Sequence, residues 1–207
     1  MRKELDISLW SRKEHFHFFK QFEEPFFGIT VKIDCTKAYL KAKESGQSFF
    51  LYYLYQSLKA ANTIEEFGYR IEGEKVIAYD RINASATINR PDQTFGFSYL
   101  HFDENPDAFY DLAKQEIDRV SKSTVLFPLE SGNDVIHYSA LPWLDFTSLS
   151  HARSFSFNDS VPKISFGKLT EANGKREMSL SVHVHHALMD GYHVGKFVER
   201  FQELMNV

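Results

Sequence analysis

The sequence has little cysteine, little net charge and no long apolar run. Its 207 residues include one cysteine, Cys35, and carry a formal net charge of −4. A single cysteine excludes a disulfide within the chain and a structural zinc site built from several thiolates. The longest aromatic and aliphatic run, residues 49–55, is too short to span a bilayer. No long basic run is present, which argues against a nucleic-acid partner.

Further absences bear on compartment and domain organisation. Residues 1–6 lack the apolar core of a signal peptide, and the lone cysteine suits a reducing compartment. We therefore expect a cytoplasmic protein without a membrane partner. No internal repeat, low-complexity stretch or linker rich in proline and glycine marks a boundary, which predicts one domain over residues 1–207. The hydrophobic fraction of 43% is ordinary for a globular domain.

The hydrophobic pattern predicts helices mixed with strands. Ser11 and Glu14 have the spacing of a capping box that would begin a short first helix. The dipeptide Asn173-Gly174 is a strong turn signal between two strands. The order of elements favours the α+β class, with a largely antiparallel or mixed sheet. Helices are predicted over 36–43, 49–61 and 106–122, and strands over 28–34, 69–71, 75–79, 94–102, 164–169 and 177–186.

Residues 184–191, Val-His-His-Ala-Leu-Met-Asp-Gly, are the most informative stretch. In a strand of period two, His186 shares one side with the apolar residues Val182 and Val184, whereas His183 and His185 share the other side. The pattern therefore places His186 half inside, at a corner between a strand and a helix. The predicted C-terminal helix has an inner stripe of Val194, Phe197, Val198, Phe201, Leu204 and Met205.

An imidazole at such a corner has more than one interpretation. It can act as a general base near neutral pH if a fixed acceptor holds its second nitrogen. A core histidine with satisfied hydrogen bonds is the commoner outcome for one His on an apolar strand, and the strand pattern alone leaves this open. A metal site is disfavoured because strand alternation directs neighbouring imidazoles to opposite faces. Its potential ligands would be His183, His185, His186, Asp190 and His193.

The segment from His185 to His193 resembles the active-site signature of the chloramphenicol acetyltransferase family, His-His-x-x-x-Asp-Gly-x-His before a C-terminal helix. Residues 10–16 and 139–148 look like the family's N-terminal and central segments, and Leu126-Phe127-Pro128 and Phe166-Gly167-Lys168 follow in the same order. The resemblance covers essentially the whole chain. It implies the family's fold, which is a sandwich of helices packed on a mixed, largely antiparallel sheet. It also implies transfer of acetyl from acetyl-CoA to an alcohol without a metal, and a homotrimer whose sites lie between subunits.

The resemblance also implies roles for individual residues. His186 would take the proton of the acceptor hydroxyl, and Ser139 would stabilise the oxyanion of the tetrahedral intermediate. Ser165 stands where the family usually has a threonine that holds a water. Asp190 would pair with Arg12 as a structural clamp, rather than orient His186 as the carboxylate of a serine hydrolase orients its histidine.

The acceptor pocket implied by the family comprises Phe19, Phe95, Phe127, Leu149 and His151. Phe19 replaces a tyrosine of well-known members, whereas Phe95 and Phe127 match pocket phenylalanines. Leu149 stands where the family usually has phenylalanine, and His151 where it usually has leucine.

Two further departures from the family pattern concern the ligands. Arg153 replaces a valine and, together with His151, would make the pocket more polar. Leu169 replaces a tyrosine expected near the CoA adenine. Acetyl-CoA is thus a firmer expectation than chloramphenicol, whose place a related small alcohol could take. The alternatives are a catalytically silent protein that binds or sequesters a small molecule, and an enzyme for another acyl carrier; the intact catalytic set favours acetyl transfer.

Overall fold

Helices pack on a mixed sheet in the structure, a computed structural model that describes residues 2–127, 132–154 and 158–207. Within these ranges there are five α-helices and nine strands, together with two short 3₁₀ turns at Ile7–Leu9 and Glu65–Gly68. The strands are β1 Arg2–Glu4, β2 Phe26–Asp34, β3 Tyr69–Glu72, β4 Lys75–Tyr79, β5 Asn83–Asn89, β6 Phe95–Phe97, β7 Val135–Ala140, β8 Lys163–Ala172 and β9 Lys175–His185. The helices are α1 Lys13–Phe19, α2 Thr36–Glu44, α3 Phe49–Ala61, α4 Pro106–Lys122 and α5 Gly191–Met205.

The main sheet has six strands in the order β2-β9-β8-β7-β5-β6. Its central pairs, β5 with β7 and β7 with β8, are parallel, and its other pairs are antiparallel. Strands β1, β4 and β3 form a small antiparallel sheet beside it. The predicted α+β class with a mixed, largely antiparallel sheet is confirmed.

The hydrophobic core lies between one face of the main sheet and the helices. Leu180, Val182 and Val184 of β9 point into it and are fully buried, because alternate residues of a strand share one face. Helices α3 and α5 pack against each other and cover this face. Cys35, before α2, is also fully buried, and this burial raises the pKa of its thiol to about 12. Among the described residues, no helix combines the length and apolarity needed to cross a membrane.

Several predicted elements are confirmed at or near their boundaries. Helices α3 and α4 occupy the residues predicted for them. The turn between β8 and β9 falls at Asn173 and Gly174, whose φ angles of 52° and 75° lie in the left-handed region that asparagine and glycine tolerate. Helix α5 buries the predicted stripe, except that Val198 is only partly buried.

Other expectations are wrong. The capping box at Ser11 does not form, because α1 begins at Lys13 and its N-cap residue is Arg12, which makes no side-chain cap hydrogen bond. The strand predicted over 94–102 is reduced to β6, and beyond it a single bridge joins Leu100 to β5.

Candidate active site

The corner after β9 holds the His186 side chain in a fixed place. The backbone N–H of His186 donates to the carbonyl of Pro25 at 2.8 Å, which joins the corner to the start of β2. The imidazole stacks on Phe19 of α1, with ring centroids 3.9 Å apart and an interplanar angle of 11°. Phe27 of β2 packs against it at 4.7 Å. Two aromatic rings from different elements therefore restrict this half-buried imidazole.

A backbone carbonyl selects the tautomer of His186. Its Nδ1 lies 3.2 Å from the carbonyl oxygen of Met189. A carbonyl only accepts hydrogen bonds, so Nδ1 must carry the proton and Nε2 of the neutral ring keeps its lone pair. A general base at this corner needs a fixed acceptor that holds its second ring nitrogen, and the carbonyl of Met189 is such an acceptor.

Asp190 organises the corner without contacting His186. One carboxylate oxygen accepts from Nη1 of Arg12 at 2.5 Å, so the predicted ion pair is present. The other oxygen accepts from the backbone N–H of Tyr192 at 3.0 Å and lies 2.9 Å from Nδ1 of His193. Through these contacts Asp190 caps the N-terminus of α5. Burial alone would raise the pKa of Asp190, but the hydrogen bond from Arg12 holds it below its ordinary value. The same guanidinium donates through Nη2 to the carbonyl of His186 at 3.3 Å.

Breaking this clamp is expected to loosen the corner. Asp190→Asn keeps a good N-cap for α5 but removes the charge that Arg12 binds, and we expect a loss of about 2 kcal/mol in the free energy of unfolding. The double variant with Arg12→Met should lose less than the sum of the single variants, because the two side chains interact directly. Urea denaturation measures both quantities. The exposed pair Lys122 and Asp118 on α4 is the control, and equal losses there would contradict a special role for the clamp.

The second face of the main sheet is polar. Tyr138 of β7 points to the helices, where its hydroxyl lies 3.2 Å from that of Ser57, so Ser139 points to the opposite face. Ser139 pairs in register with Ser165 of β8, which pairs with Ser181 of β9, so three serines form a row across the sheet. Ser165 is fully buried, and its hydroxyl has no hydrogen-bond partner among the described residues. We call this side of the sheet the polar face.

A second row of the polar face contains His137, Lys163 and His183, again in register. A Cβ on Gly28 of β2 would lie 2.2 Å from Nε2 of His183, so only glycine leaves room for this ring. His151 packs edge-on against His183 with centroids 4.7 Å apart. Burial, reinforced by the charge of neighbouring groups, lowers the pKa of His151 to about 4, so its ring is neutral at physiological pH.

The predicted acceptor residues lie in different surroundings. A cleft of about 510 Å³ beside the polar face is lined by Phe127, His137 and Arg153, among others. Phe127 stacks on Phe97 at 5.8 Å, and Phe97 also lines the cleft.

The other predicted acceptor residues are outside the cleft lining. Phe95 contacts Phe97 at 5.5 Å and is 44% exposed. The backbone of Leu149 hydrogen-bonds with His183, and His151 is the neighbour of His183 described above. Phe19 lies against His186 at the far corner.

His186 and Ser139 of one chain are far apart. Ser139 lies in register with Ser181, two strands away, which corresponds to about 10 Å across the sheet. His186 follows Ser181 by five residues, or about 16 Å along the strand direction. The two side chains are therefore nearly 20 Å apart by strand geometry and cannot contact the same reacting atoms within one chain.

Several known proteins are similar to this chain over nearly its whole length. The family model for chloramphenicol acetyltransferase matches residues 2–202. The chain belongs to this family. A chloramphenicol acetyltransferase of Bacillus pumilus is 31% identical over 99% of this chain and 94% of its own length. Chloramphenicol acetyltransferase 3 of Escherichia coli is 30% identical over 97% of this chain and 95% of its own length. A solved chloramphenicol acetyltransferase superposes with a TM-score of 0.87 at 31% identity, covering 99% and 100% of the two chains.

Membership of the chloramphenicol acetyltransferase family makes this chain an acetyltransferase, as the sequence predicted. Sequence reasoning missed three contributors to the geometry. The carbonyl of Met189 is a backbone group with no side-chain signature. In the sequence, His193 stands out only as part of the motif and of a disfavoured metal site, but its ring binds Asp190 and lies 3.4 Å from Glu66. Lys163 is buried on the polar face, although a lysine at a strand end usually indicates solvent exposure.

Proposed function

We propose that this chain is an acetyl-CoA-dependent O-acetyltransferase that acetylates a hydroxyl of chloramphenicol or a related small alcohol. The observation that supports this most directly is His186, whose Nδ1 is held by the carbonyl of Met189 so that Nε2 is free to accept a proton. An alcohol is a weak nucleophile near neutral pH, and a positioned base of this kind removes its proton as the bond forms.

In the proposed reaction, Nε2 of His186 takes the proton of the acceptor hydroxyl while the hydroxyl oxygen attacks the thioester carbonyl of acetyl-CoA. The carbonyl oxygen becomes an oxyanion, which the hydroxyl of Ser139 stabilises as a hydrogen-bond donor. The carbon–sulfur bond then breaks, the proton on Nε2 passes to the sulfur, and the products are the acetyl ester and free CoA. The unpartnered hydroxyl of Ser165 lies beside Ser139 and can hold a water near the oxyanion.

The site is proposed to lie between subunits. Because His186 and Ser139 of one chain are nearly 20 Å apart, a second copy must supply one of them to each site. A closed ring in which His186 of one copy meets the polar face of the next satisfies this requirement at every interface. We propose a homotrimer, in which residues 1–207 act as one domain per subunit. The buried, unpaired thiol of Cys35 is compatible with the cytoplasm, where we place the protein.

Thiol release from acetyl-CoA tests the function. We expect free CoA to appear when chloramphenicol is added to the enzyme and acetyl-CoA, together with the acetyl ester as product, because the base and the oxyanion donor are both present. The measurement is the initial rate of thiol formation, with mass spectrometry of the acceptor. No release with chloramphenicol or other small alcohols would instead favour a silent binding protein with the same fold.

A further inference from the structure

Two cationic side chains lie together beside the acceptor cleft. The guanidinium carbon of Arg153 is 3.7 Å from the centroid of the Phe26 ring, and Nζ of Lys163 is 4.6 Å from the same centroid. The two cations are therefore no more than about 8 Å apart. Both are largely shielded from water, with side-chain exposures of 13% and 9%. Two shielded positive charges held this close together need negative charge beside them.

Each of the two cations pairs with one carboxylate, and one of these carboxylates, Asp159, also lines the cleft. Asp159 forms an ion pair with Lys163, which also donates to the carbonyl of Val161 at 3.0 Å. Arg153 binds Glu24 through Nη1 at 2.6 Å, and no other hydrogen bond of its guanidinium is recorded within the described residues. Glu24 is 51% exposed, so water can replace Arg153 as its partner at little cost. With respect to the described residues, the remaining donors of Arg153 can therefore bind an anion.

The histidines of the polar face are neutral and add no positive charge to that of Arg153 and Lys163. Burial, reinforced by the charge of Arg153, lowers the pKa of His185 to about 4. His151 is neutral for the same reason, with Lys163 and Arg153 among the charges that disfavour its protonation. Burial also lowers the pKa of His137 and His183, which face the same cations. The cations thus face neutral imidazoles, which can donate or accept a hydrogen bond.

Two buried polar atoms on this face lack a partner within the described residues. One is Nε2 of His151, and the other is the hydroxyl of Ser165. An unsatisfied buried polar atom costs free energy unless a water or a ligand binds it. Both atoms lie on or over the face that contains Ser139 and Lys163.

The spacing of these groups indicates which chemical groups a bound acceptor should carry. Lys163 is the diagonal neighbour of Ser139, about 8 Å from it on the adjacent strand. The cleft lining also has an apolar part, Phe97 and Phe127, which stack on each other. A molecule that fits places its hydroxyl next to the thioester carbonyl bound by Ser139, an apolar body against the phenylalanines and a negatively charged oxygen group near Arg153.

We propose that the preferred acceptor of this acetyltransferase is an alcohol that also carries an anionic oxygen group, a carboxylate or a phosphate ester, which Arg153 binds directly with Lys163 supplying the second positive charge. This rests on the proposed function and refines its substrate. A neutral acceptor such as chloramphenicol would leave the guanidinium of Arg153, which lines the cleft, facing an uncharged body. Arginine is suited to the role because its planar fork matches both carboxylate and phosphate.

A matched panel of acceptors tests the class. The probes are 4-(hydroxymethyl)benzoate, 4-(hydroxymethyl)phenyl phosphate and the neutral 4-(hydroxymethyl)benzamide, with chloramphenicol as a fourth acceptor. Thiol release from acetyl-CoA gives kcat/KM for each. We expect at least one anionic acceptor to exceed the benzamide by about tenfold or more, because hydrogen bonds to a charged partner are much stronger than neutral ones. The anionic acceptor with the higher kcat/KM shows whether the site prefers a carboxylate or a phosphate ester.

Variants of Arg153 identify the residue responsible. Arg153→Gln should raise KM for the anionic acceptor about tenfold, with kcat and the KM for acetyl-CoA unchanged, and Arg153→Lys should restore part of the preference. Arg176→Gln is the matched control, because Arg176 also lies over a ring, that of Tyr39 at 4.7 Å, and also pairs with a half-exposed glutamate, Glu171. This control should leave the preference intact.

The outcomes separate the two proposals. Thiol release with chloramphenicol, together with no preference for either anion over the benzamide, overturns the acceptor class and leaves the acetyltransferase function standing. A preference that survives in Arg153→Gln also overturns the assignment to Arg153. Failure of every alcohol to release thiol overturns the function itself.

Discussion

Replacing His186 with alanine is expected to lower kcat for acetyl transfer by about 10⁴-fold, at the upper end of what a positioned general base contributes. The free Nε2 of this ring is the proposed base, and the described residues place no other imidazole in the same aromatic clamp. Binding of acetyl-CoA should change little, because the imidazole acts on the proton rather than on the nucleotide. Steady-state rates and calorimetric titration with CoA measure the two effects.

The control for this variant is His15→Ala, which removes an exposed imidazole from the helix that also carries Phe19. It should retain full activity. Unchanged turnover in His186→Ala would remove the base from the proposed mechanism, whereas a parallel loss of CoA binding and thermal stability would indicate that the ring acts mainly by filling the corner between Phe19 and Phe27.

Mixing two inactive variants is expected to restore activity. Ser139→Ala should lower kcat by about 10² to 10³-fold through loss of the oxyanion donor. If each site takes His186 from one subunit and Ser139 from the next, a subunit with Ser139→Ala can still supply His186 to a neighbour with His186→Ala. Random assembly of equal amounts then gives about a quarter of the sites intact.

The experiment requires co-expression of the two variants with different tags and purification of the mixed oligomers. Activity near a quarter of that of the unaltered enzyme supports sites shared between subunits. Activity at the level of the separate variants would place both groups in one chain and contradict the distance of nearly 20 Å estimated from the register of the strands. Mixing Ser139→Ala with Ser139→Ala of the other tag is the control.

Strong local signals made much of the fold predictable. The apolar run of α3 and the proline and asparagine at the start of α4 determined both helices to the residue. Strand β7 was not predicted, because residues 135–140 mix apolar residues with His137 and Ser139 in a pattern that also fits a loop. Its place at the centre of a parallel arrangement depends on β5 and β8, which are distant in sequence.

The candidate site was predictable only in part. The side chains of His186, Asp190 and Arg12 were identified through their resemblance to a known motif, and the structure adds their partners. The position of the Met189 carbonyl depends on backbone conformation, and the burial of the Ser165 hydroxyl depends on packing. Neither can be inferred from the type of residue alone. The capping box at Ser11 was predicted wrongly, because the spacing of Ser11 and Glu14 says nothing about where α1 begins.

The burial of Cys35 has a practical consequence for measuring this enzyme. A thiolate, not a thiol, attacks an aromatic disulfide reagent, and Cys35 is both inaccessible and, with its pKa raised to about 12, protonated at neutral pH. The native protein should therefore consume none of the dye, so that the colour reports liberated coenzyme without correction. In denaturant the same reagent should count one equivalent per chain, which gives an independent measure of enzyme concentration.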